Sequence, residues 1–370
     1  MTKARDLASA TPVPSAVSAT ELGYLDGVTS AVQTQINAKT AVAKGSTASR
    51  PTGSQGDLYY DTTVDNLYQK NAYGWEKAGT PFQLVVDALV IAGGGGGGAW
   101  ISGGGGAGGV AYDDQRVLAL GTAITVTVGA GGAGALNTAN DGLGSPYHVG
   151  GIGGDSYFDV VRAYGGGGGG GNGTGATNGV NGGSGGGAAQ GATYGSATQT
   201  SNNGSVGYGN RGGIATSYSN WTGSGGGGAG AVGGAISGST GGSGGVGMSD
   251  WSTWGAALSL GHNVSGTRYF AGGGGGSGTG TNGTGGNGGG GTGGDGAAAT
   301  AGTTNTGGGG GGQVNASTTA PNGGSGVVML RFASSLPSPS TISGGLTYST
   351  VTTGGYKYYA FTAGTGTVTW

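Results

Sequence analysis

Apolar and polar positions change period along the chain, and each change marks an element. Leu25, Val28, Val32 and Ile36 recur at spacings of three and four behind Ser18-Ala19-Thr20-Glu21. In that tetrad a hydroxyl and a carboxylate three residues apart can each satisfy an open backbone donor, so a helix is predicted to start near residue 18. Its apolar stripe is too narrow to bury itself in one chain and suits a short parallel bundle of several chains. From Asp57 the period falls to two, in the segments 57–61, 66–70 and 74–77 separated by Thr/Asp and Asn/Gly turns. This predicts a three-stranded meander, too small to be stable alone.

Residues 82–92 read as a strongly apolar strand that runs straight into Gly93 to Gly98. Further strands are predicted at 110–112, 115–120, 124–128, 156–161 and 327–332, and between 164 and 326 the chain is mostly glycine. The runs fall at 165–171, 182–187, 225–228, 233–247, 272–296 and 307–312, broken by ordinary residues. The pattern predicts a small β-sandwich with a glycine block inserted before its last strand. After Leu336-Pro337-Ser338-Pro339, segments 346–351, 356–361 and 365–370 alternate about a Gly354-Gly355 turn and predict a C-terminal β-meander.

Composition sharpens this picture. Glycine supplies 102 of 370 residues and charged residues only 8%, against averages of about 7% and 25%. Leu, Ile, Val and Phe together make up about 15% of the chain, too few for one core of this size. Eight prolines and no three-residue glycine period exclude collagen, and the low net charge of −2 is unlike a disordered chain. A fold built of glycine must recover a large ordering entropy through hydrogen bonds and close backbone approach. Polyproline II helices allow this: three residues per turn, no internal hydrogen bonds, and backbone groups pointing outward toward several neighbours. The expected class is therefore mainly β and polyproline II. Its parts are an N-terminal extension (1–17), a helical trimerisation segment (18–44), a β-meander (45–80), a glycine-rich domain (81–333) and a C-terminal β module (334–370). The glycine-rich domain is expected as a β-sandwich carrying a polyproline II block at 164–326. A flexible glycine linker is the plainer alternative, but linkers rarely carry Trp, Tyr and Phe between their glycines.

The chemistry-bearing residues are sparse. Thirteen Lys and Arg against 15 Asp and Glu leave no basic surplus for nucleic acid. Without cysteine there is no disulfide or thiolate chemistry. No apolar run long enough for a secretory signal or a membrane span occurs, so synthesis in the cytoplasm and no membrane crossing are expected. Gly93-x-Gly95-x-x-Gly98 after a strand, with Asp113 beyond, imitates a dinucleotide fingerprint, but the glycines that follow cannot form the helix it requires. His148 and His262 stand apart, and Asp113-Asp114 reads as a turn or strand edge. No enzyme activity, metal or cofactor is predicted.

Residues 18–36, from Ser18-Ala19-Thr20-Glu21-Leu22-Gly23-Tyr24-Leu25-Asp26-Gly27-Val28 to Gln35-Ile36, resemble a helical module of tailed-bacteriophage tail-fibre proteins. Gly56-Asp57-Leu58-Tyr59-Tyr60-Asp61 with Trp75 resembles a short β module of phage structural proteins. Leu89-Val90-Ile91-Ala92-Gly93, Val126-Thr127-Val128-Gly129-Ala130-Gly131-Gly132 and Gly326-Val327-Val328-Met329-Leu330-Arg331-Phe332 resemble the glycine-rich tip domain of such fibres. The resemblance implies a receptor-binding adhesin of the virion, a homotrimer joined to other tail or fibre proteins. It also implies a polyproline II glycine sandwich whose loops bind a glycan or outer-surface protein of the host. A structural or ice-binding glycine-rich filament is the second reading.

If successive runs traverse one block, alternate connections emerge at the same end, and the longest have most freedom to form a binding surface. Two stand out: 190–221, with Tyr194, Tyr208, Tyr218 and Trp221, and 248–270, with Trp251, Trp254, His262, Arg268, Tyr269 and Phe270. Shorter insertions at 136–149 and 313–322 can join them. Exposed Trp and Tyr offer large rigid contact area. The alternative for each is a pin holding its loop on the block, for which Trp100 is the leading example.

Overall fold

The computed structural model describes residues 43–46, 48, 52, 58–63, 66–70, 75–77, 84–136, 148–172, 176–216, 221–295, 298–314 and 319–370. The predicted helix and trimerisation stripe at 18–44 lie almost wholly outside these residues. The chain divides into two compact units, Met1–Phe82 and Gln83–Trp370.

In the first unit β1 (Ala43–Gly45), β2 (Leu58–Asp61), β3 (Asn66–Lys70) and β4 (Trp75–Lys77) form one sheet in chain order. β2, β3 and β4 pair antiparallel, while β1 joins β2 in parallel, a pairing the alternation pattern did not anticipate. Tyr59 is the buried anchor, its ring 5.7 Å from that of Trp75 and its hydroxyl donating to the Ser46 carbonyl.

The second unit is mostly β, with one short helix among the described residues. Its strands are β5 (Leu84–Ile91), β6 (Val110–Leu118), β7 (Ile124–Thr127), β8 (Ser156–Phe158), β9 (Val161–Ala163), β10 (Val206–Tyr208), β11 (His262–Val264), β12 (Thr267–Tyr269), β13 (Val327–Ala333), β14 (Thr341–Ile342), β15 (Leu346–Thr353) and β16 (Tyr356–Thr369). The helix is α1 (Ser252–Leu258). All strands except the β11–β12 hairpin join a single sheet ordered β10-β6-β5-β13-β16-β7-β8-β9, with β14 and β15 also on β16. The sheet curls until β8 and β9 face β5, β6 and β13, giving a nearly closed, barrel-like shape. The expected two-sheet sandwich is thus corrected to one curved sheet. The reason lies in β16: its fourteen residues pair with β13 over one half and with β7 over the other, carrying the sheet around. Residues 334–370 are built into the same sheet rather than standing as a separate module.

β5 and β13 are covered on both faces, as their nearly continuous apolar sequences require. Each central strand carries one charge, Asp87 and Arg331, and the register sets these directly opposite each other. Arg331 Nε and Nη2 both donate to Asp87 Oδ2, at 3.0 and 2.6 Å, and its guanidinium lies between the rings of Trp254 and Tyr356 at 4.9 and 4.8 Å. A charge pair so enclosed is tolerated because each partner is hydrogen-bonded.

Above the sheet stands the glycine lattice. The run 92–99 leaves β5 and turns at Trp100 and Ile101, both at positive φ, and 102–109 returns to β6. Hydrogen bonds along these runs repeat every third residue. Gly103, Gly106 and Gly109 donate to the carbonyls of Gly170, Gly167 and Tyr164; Gly104 and Ala107 donate to Ser224 and Gly227; Gly105 and Gly108 donate to Gly310 and Gly307. One run is thereby bonded to three neighbours at once, which accounts for backbone groups that a side-chain core would leave unpaired. Glycine is required by closeness: a Cβ on Gly105 would lie 2.2 Å from the Gly95 carbonyl oxygen. The lattice is wider than the predicted 164–326, since 92–109, 129–136 and 148–155 belong to it through the same bonds. No helix follows Gly93 to Gly98, so the phosphate-binding geometry that its spacing imitates is absent from these described residues.

Candidate recognition surface

The lattice has two ends, and the hydrogen-bond register assigns each connection to one of them. Runs 102–109 and 222–229 descend side by side toward the sheet, with Gly104 bonded to Ser224 and Ala107 to Gly227. Run 184–190 ascends, since Ser184 and Gly187 donate to the carbonyls of Ala107 and Gly104. The turns at 100–101, 190–192 and 237–240 therefore lie at the end far from the sheet, together with the approach to 216–221. The segment 248–270 lies at the sheet end: Met248 and Phe270 bridge each other, and run 271–277 climbs away from them. The 190–221 insertion spans both ends: its turn at 190–192 lies far from the sheet, while its β10 strand pairs with β6 and sets Tyr208 against Trp251 of the other insertion.

The 248–270 insertion is folded onto the sheet. Its Ser-Thr-Trp-Gly-Ala-Ala-Leu segment, one of the few glycine-poor stretches here, forms α1, ended by Ser259 in the left-handed conformation. Trp251, Trp254 and Phe270 are 6%, 2% and 0% exposed and form one core with Leu89, Val110 and Met329. Tyr112 packs on both tryptophans, at ring distances of 5.1 and 6.1 Å, and Tyr208 and Tyr358 complete the cluster. Burial pushes the Tyr112 hydroxyl above its ordinary pKa, with Asp87 adding to the shift. The expected exposure of Trp251, Trp254 and Phe270 is corrected: the open face of the sheet needs an apolar cover and these rings supply it. Gly255 and Gly261 flank the Phe270 ring, where a side chain would meet it.

His262, Arg268 and Tyr269 are half-buried on the β11–β12 hairpin. His262 Nδ1 accepts from the Gly288 amide at 3.2 Å, and Arg268 Nη1 donates to the Gly261 carbonyl at 3.2 Å. Tyr194 is half-buried on the side of the block, with the Arg211 guanidinium 4.5 Å from its ring centre. Tyr208 lies in β10 against Trp251, and Tyr218 falls outside the described residues. Of the predicted aromatics among the described residues, Trp221 alone stands well exposed, at 59%. Trp100 is half-buried at the first far turn.

Beside Trp221 the far end holds residues that the aromatic search passed over. Ala188 N donates to Ser224 Oγ at 2.8 Å, and Ser224 N donates back to the Ala188 carbonyl at 3.0 Å. Two residues further out along these antiparallel runs stand Gln190 on one and Thr222 on the other. Gln190 is 7% exposed and Thr222 fully buried, yet Gln190 Nε2 and Thr222 Oγ1 have no hydrogen-bond partner. Buried polar atoms without partners are uncommon in folded proteins. Small side chains, Ala188, Ala189, Ala192 and Ala215, pack together here.

At the sheet end, Arg116 bridges Asp113 and Asp159, and burial, partly countered by Arg116, raises the Asp113 carboxyl above its usual range. No cluster of side chains among the described residues could hold a metal ion, and no helix among them is long and apolar enough to cross a membrane.

An array of glycine runs cross-bonded through backbone amides and seated on a β-sheet defines a class by architecture rather than by a catalytic site. Residues 79–333 match the family model of the glycine-rich domain, and the chain belongs to that family. Comparison with curated proteins and with solved structures finds no match to the chain.

Proposed function

We propose that this chain is a tail-fibre protein of a bacteriophage virion that binds a host surface receptor during adsorption, without catalysis. The observation that carries the reading is the arrangement of the glycine lattice, which holds one set of connections away from the sheet on a scaffold fixed by backbone bonds. Rigid presentation of loops is what recognition requires. The resemblance of residues 18–36 to tail-fibre modules supports the virion setting and a homotrimer attached to other tail or fibre proteins.

The same reading takes the glycine runs as polyproline II helices. Its support is the period of three in their hydrogen bonds, which equals the three residues per turn of that helix. An eight-residue run then spans about 25 Å at 3.1 Å per residue and keeps the far loops well clear of the sheet. The ice-binding alternative requires a regular Thr-bearing face. The exposed residues along the runs are mixed, Ile214, Val232 and Val246 among them as well as Thr193 and Ser196.

The test is binding of the purified full chain to a panel of bacterial strains. Saturable binding confined to particular strains is expected. Uniform or absent binding across the panel would remove the adhesin reading.

A further inference from the structure

Run 222–229 sits inside the lattice, and its hydrogen bonds identify what surrounds it. Bonds at Gly223, Ser224, Gly225 and Gly226 join it to six runs: 102–109, 184–190, 209–216, 231–236, 242–247 and 271–277. Each of the six is bonded to the next, and the last to the first, so they close a ring around it. Six neighbours packed closely around one run stand about 60° apart. Among the described residues, run 231–236 bonds to only three of these runs, 222–229 behind it and 209–216 and 242–247 on its flanks. It is a corner of the block, where the two flanks meet at about 120°.

This corner is apolar. Val232 is 49% exposed at its crest, and Ile214 and Val246 are exposed on the two flanks. The run cannot turn Val232 inward, because a Cβ at the neighbouring Gly233 would already lie 2.1 Å from the Gly225 oxygen. Residues 212–216, 231–236 and 242–247 include no charge, and Arg211, just below one flank, is engaged on the Tyr194 ring. Other corner runs differ: 193–198 exposes Thr193 and Ser196, and 281–287 exposes Thr281 and Thr284. Clustered apolar exposure without charge is the character of the centre of a protein interface. Three corners of about 120° meeting at one axis complete the turn around it, which is the closure a three-fold assembly needs. The patch is small for an interface between free molecules. Copies already joined near their N-termini meet at an effective concentration of millimolar order, where a small patch suffices. Resting on the trimeric reading above, we infer that the glycine lattices of three copies pack together along the 231–236 corner, on an axis parallel to the runs, with Val232 at the centre and Ile214 and Val246 on the flanks.

The experiment uses the full chain, which has no cysteine of its own. Sedimentation first establishes the trimer. Single-cysteine variants Val232→Cys, Ser196→Cys and Thr284→Cys, one on each corner, are then treated with a short bismaleimide. Val232→Cys is expected to form linked dimers at least about tenfold faster than the other two, at a rate independent of protein concentration, because the second thiol is held close by. Ile214→Cys, on a flank, should link as well. Adding Val232→Asp to it should slow that linking about tenfold, since three carboxylates are brought to one axis, while the chain stays trimeric by sedimentation and folded by circular dichroism. Equally slow linking at all three corners of a trimer would mean three separate lattices, and fastest linking at Ser196→Cys or Thr284→Cys would put another corner at the axis. A rate that rises with concentration, or an Ile214→Cys rate untouched by Val232→Asp, would equally overturn this inference alone. A chain that sediments as a monomer would overturn the trimeric reading along with it.

Discussion

Adding one methyl group at Gly105 should collapse the lattice. The Cβ of an alanine there would sit 2.2 Å from the Gly95 oxygen and 2.7 Å from its carbon, both backbone atoms of the facing run. Restoring ordinary contact requires the runs 92–99 and 102–109 to part by about 1 Å, because neither has a side chain that can turn away. Three bonds join them: Ala92 N to Gly109 O at 3.1 Å, Gly95 N to Gly106 O at 2.8 Å and Gly98 N to Gly103 O at 3.1 Å. Parting by that amount takes all three beyond bonding distance, and each leaves buried groups unpaired at about 1–3 kcal/mol. Alanine's smaller unfolded-state entropy returns only about 0.4–1 kcal/mol. Gly105→Ala is therefore expected to cost about 3–8 kcal/mol, comparable with the whole stability of a typical domain, about 5–15 kcal/mol. Gly344→Ala is the control, since nothing lies within 4 Å of the added carbon, and it should be neutral or slightly stabilising. Urea unfolding followed by tryptophan fluorescence reads both. Equal midpoints for Gly105→Ala and the parent would refute the claim that close backbone approach holds this block together.

The tryptophans should separate by role: Trp254→Ala should cost about 3–5 kcal/mol as a core deletion, while Trp221→Ala should shift stability by less than about 0.5 kcal/mol, both read by urea unfolding. Arg331→Lys keeps the charge but loses the paired donation to Asp87 and the stacking on Trp254 and Tyr356, and a loss of about 1–3 kcal/mol is expected in the same assay. Asp113 has a folded-state pKa raised by burial, so folding is favoured while it is protonated and that favour is lost as pH rises through the raised value. Asp113→Asn should accordingly raise the melting temperature at neutral pH relative to the parent, and the difference should vanish below the carboxylate range. Sedimentation of the full chain should show a trimer, and a stable monomer at micromolar concentration would exclude the proposed fibre assembly.

The strands were legible where apolar residues run together. Residues 82–92 and 327–332 announce the two central strands β5 and β13, and their opposed charges are visible only once the register pairs Asp87 with Arg331. The curvature of the sheet was not legible, because it depends on β16 serving β13 and β7 in turn, and alternation along 356–369 does not say which strands lie alongside. The glycine runs identified themselves by composition, but their extent did not: 129–136 and 148–155 contain enough other residues to pass for loops.

The far end shows the sharper limit. Aromatic content pointed to 248–270 as a loop, and the same rings serve equally well to cover a sheet, the role that burial assigns them. The ends could be told apart only from bonds such as Gly104 to Ser224 and Gly187 to Gly104, which set the direction of each run. Gln190 and Thr222 carry no sequence signal at all. Their burial shows only in the structure, next to the Ala188–Ser224 pairing across 36 residues of chain.

The central claim, that the chain is the part of a virion that touches the host, is tested most directly by competition. Cells of a strain that binds the chain are saturated with the purified protein, and adsorption of particles carrying the same chain is then counted. Adsorption is expected to fall in proportion to occupancy. Undiminished adsorption to cells demonstrably coated with the chain would contradict it.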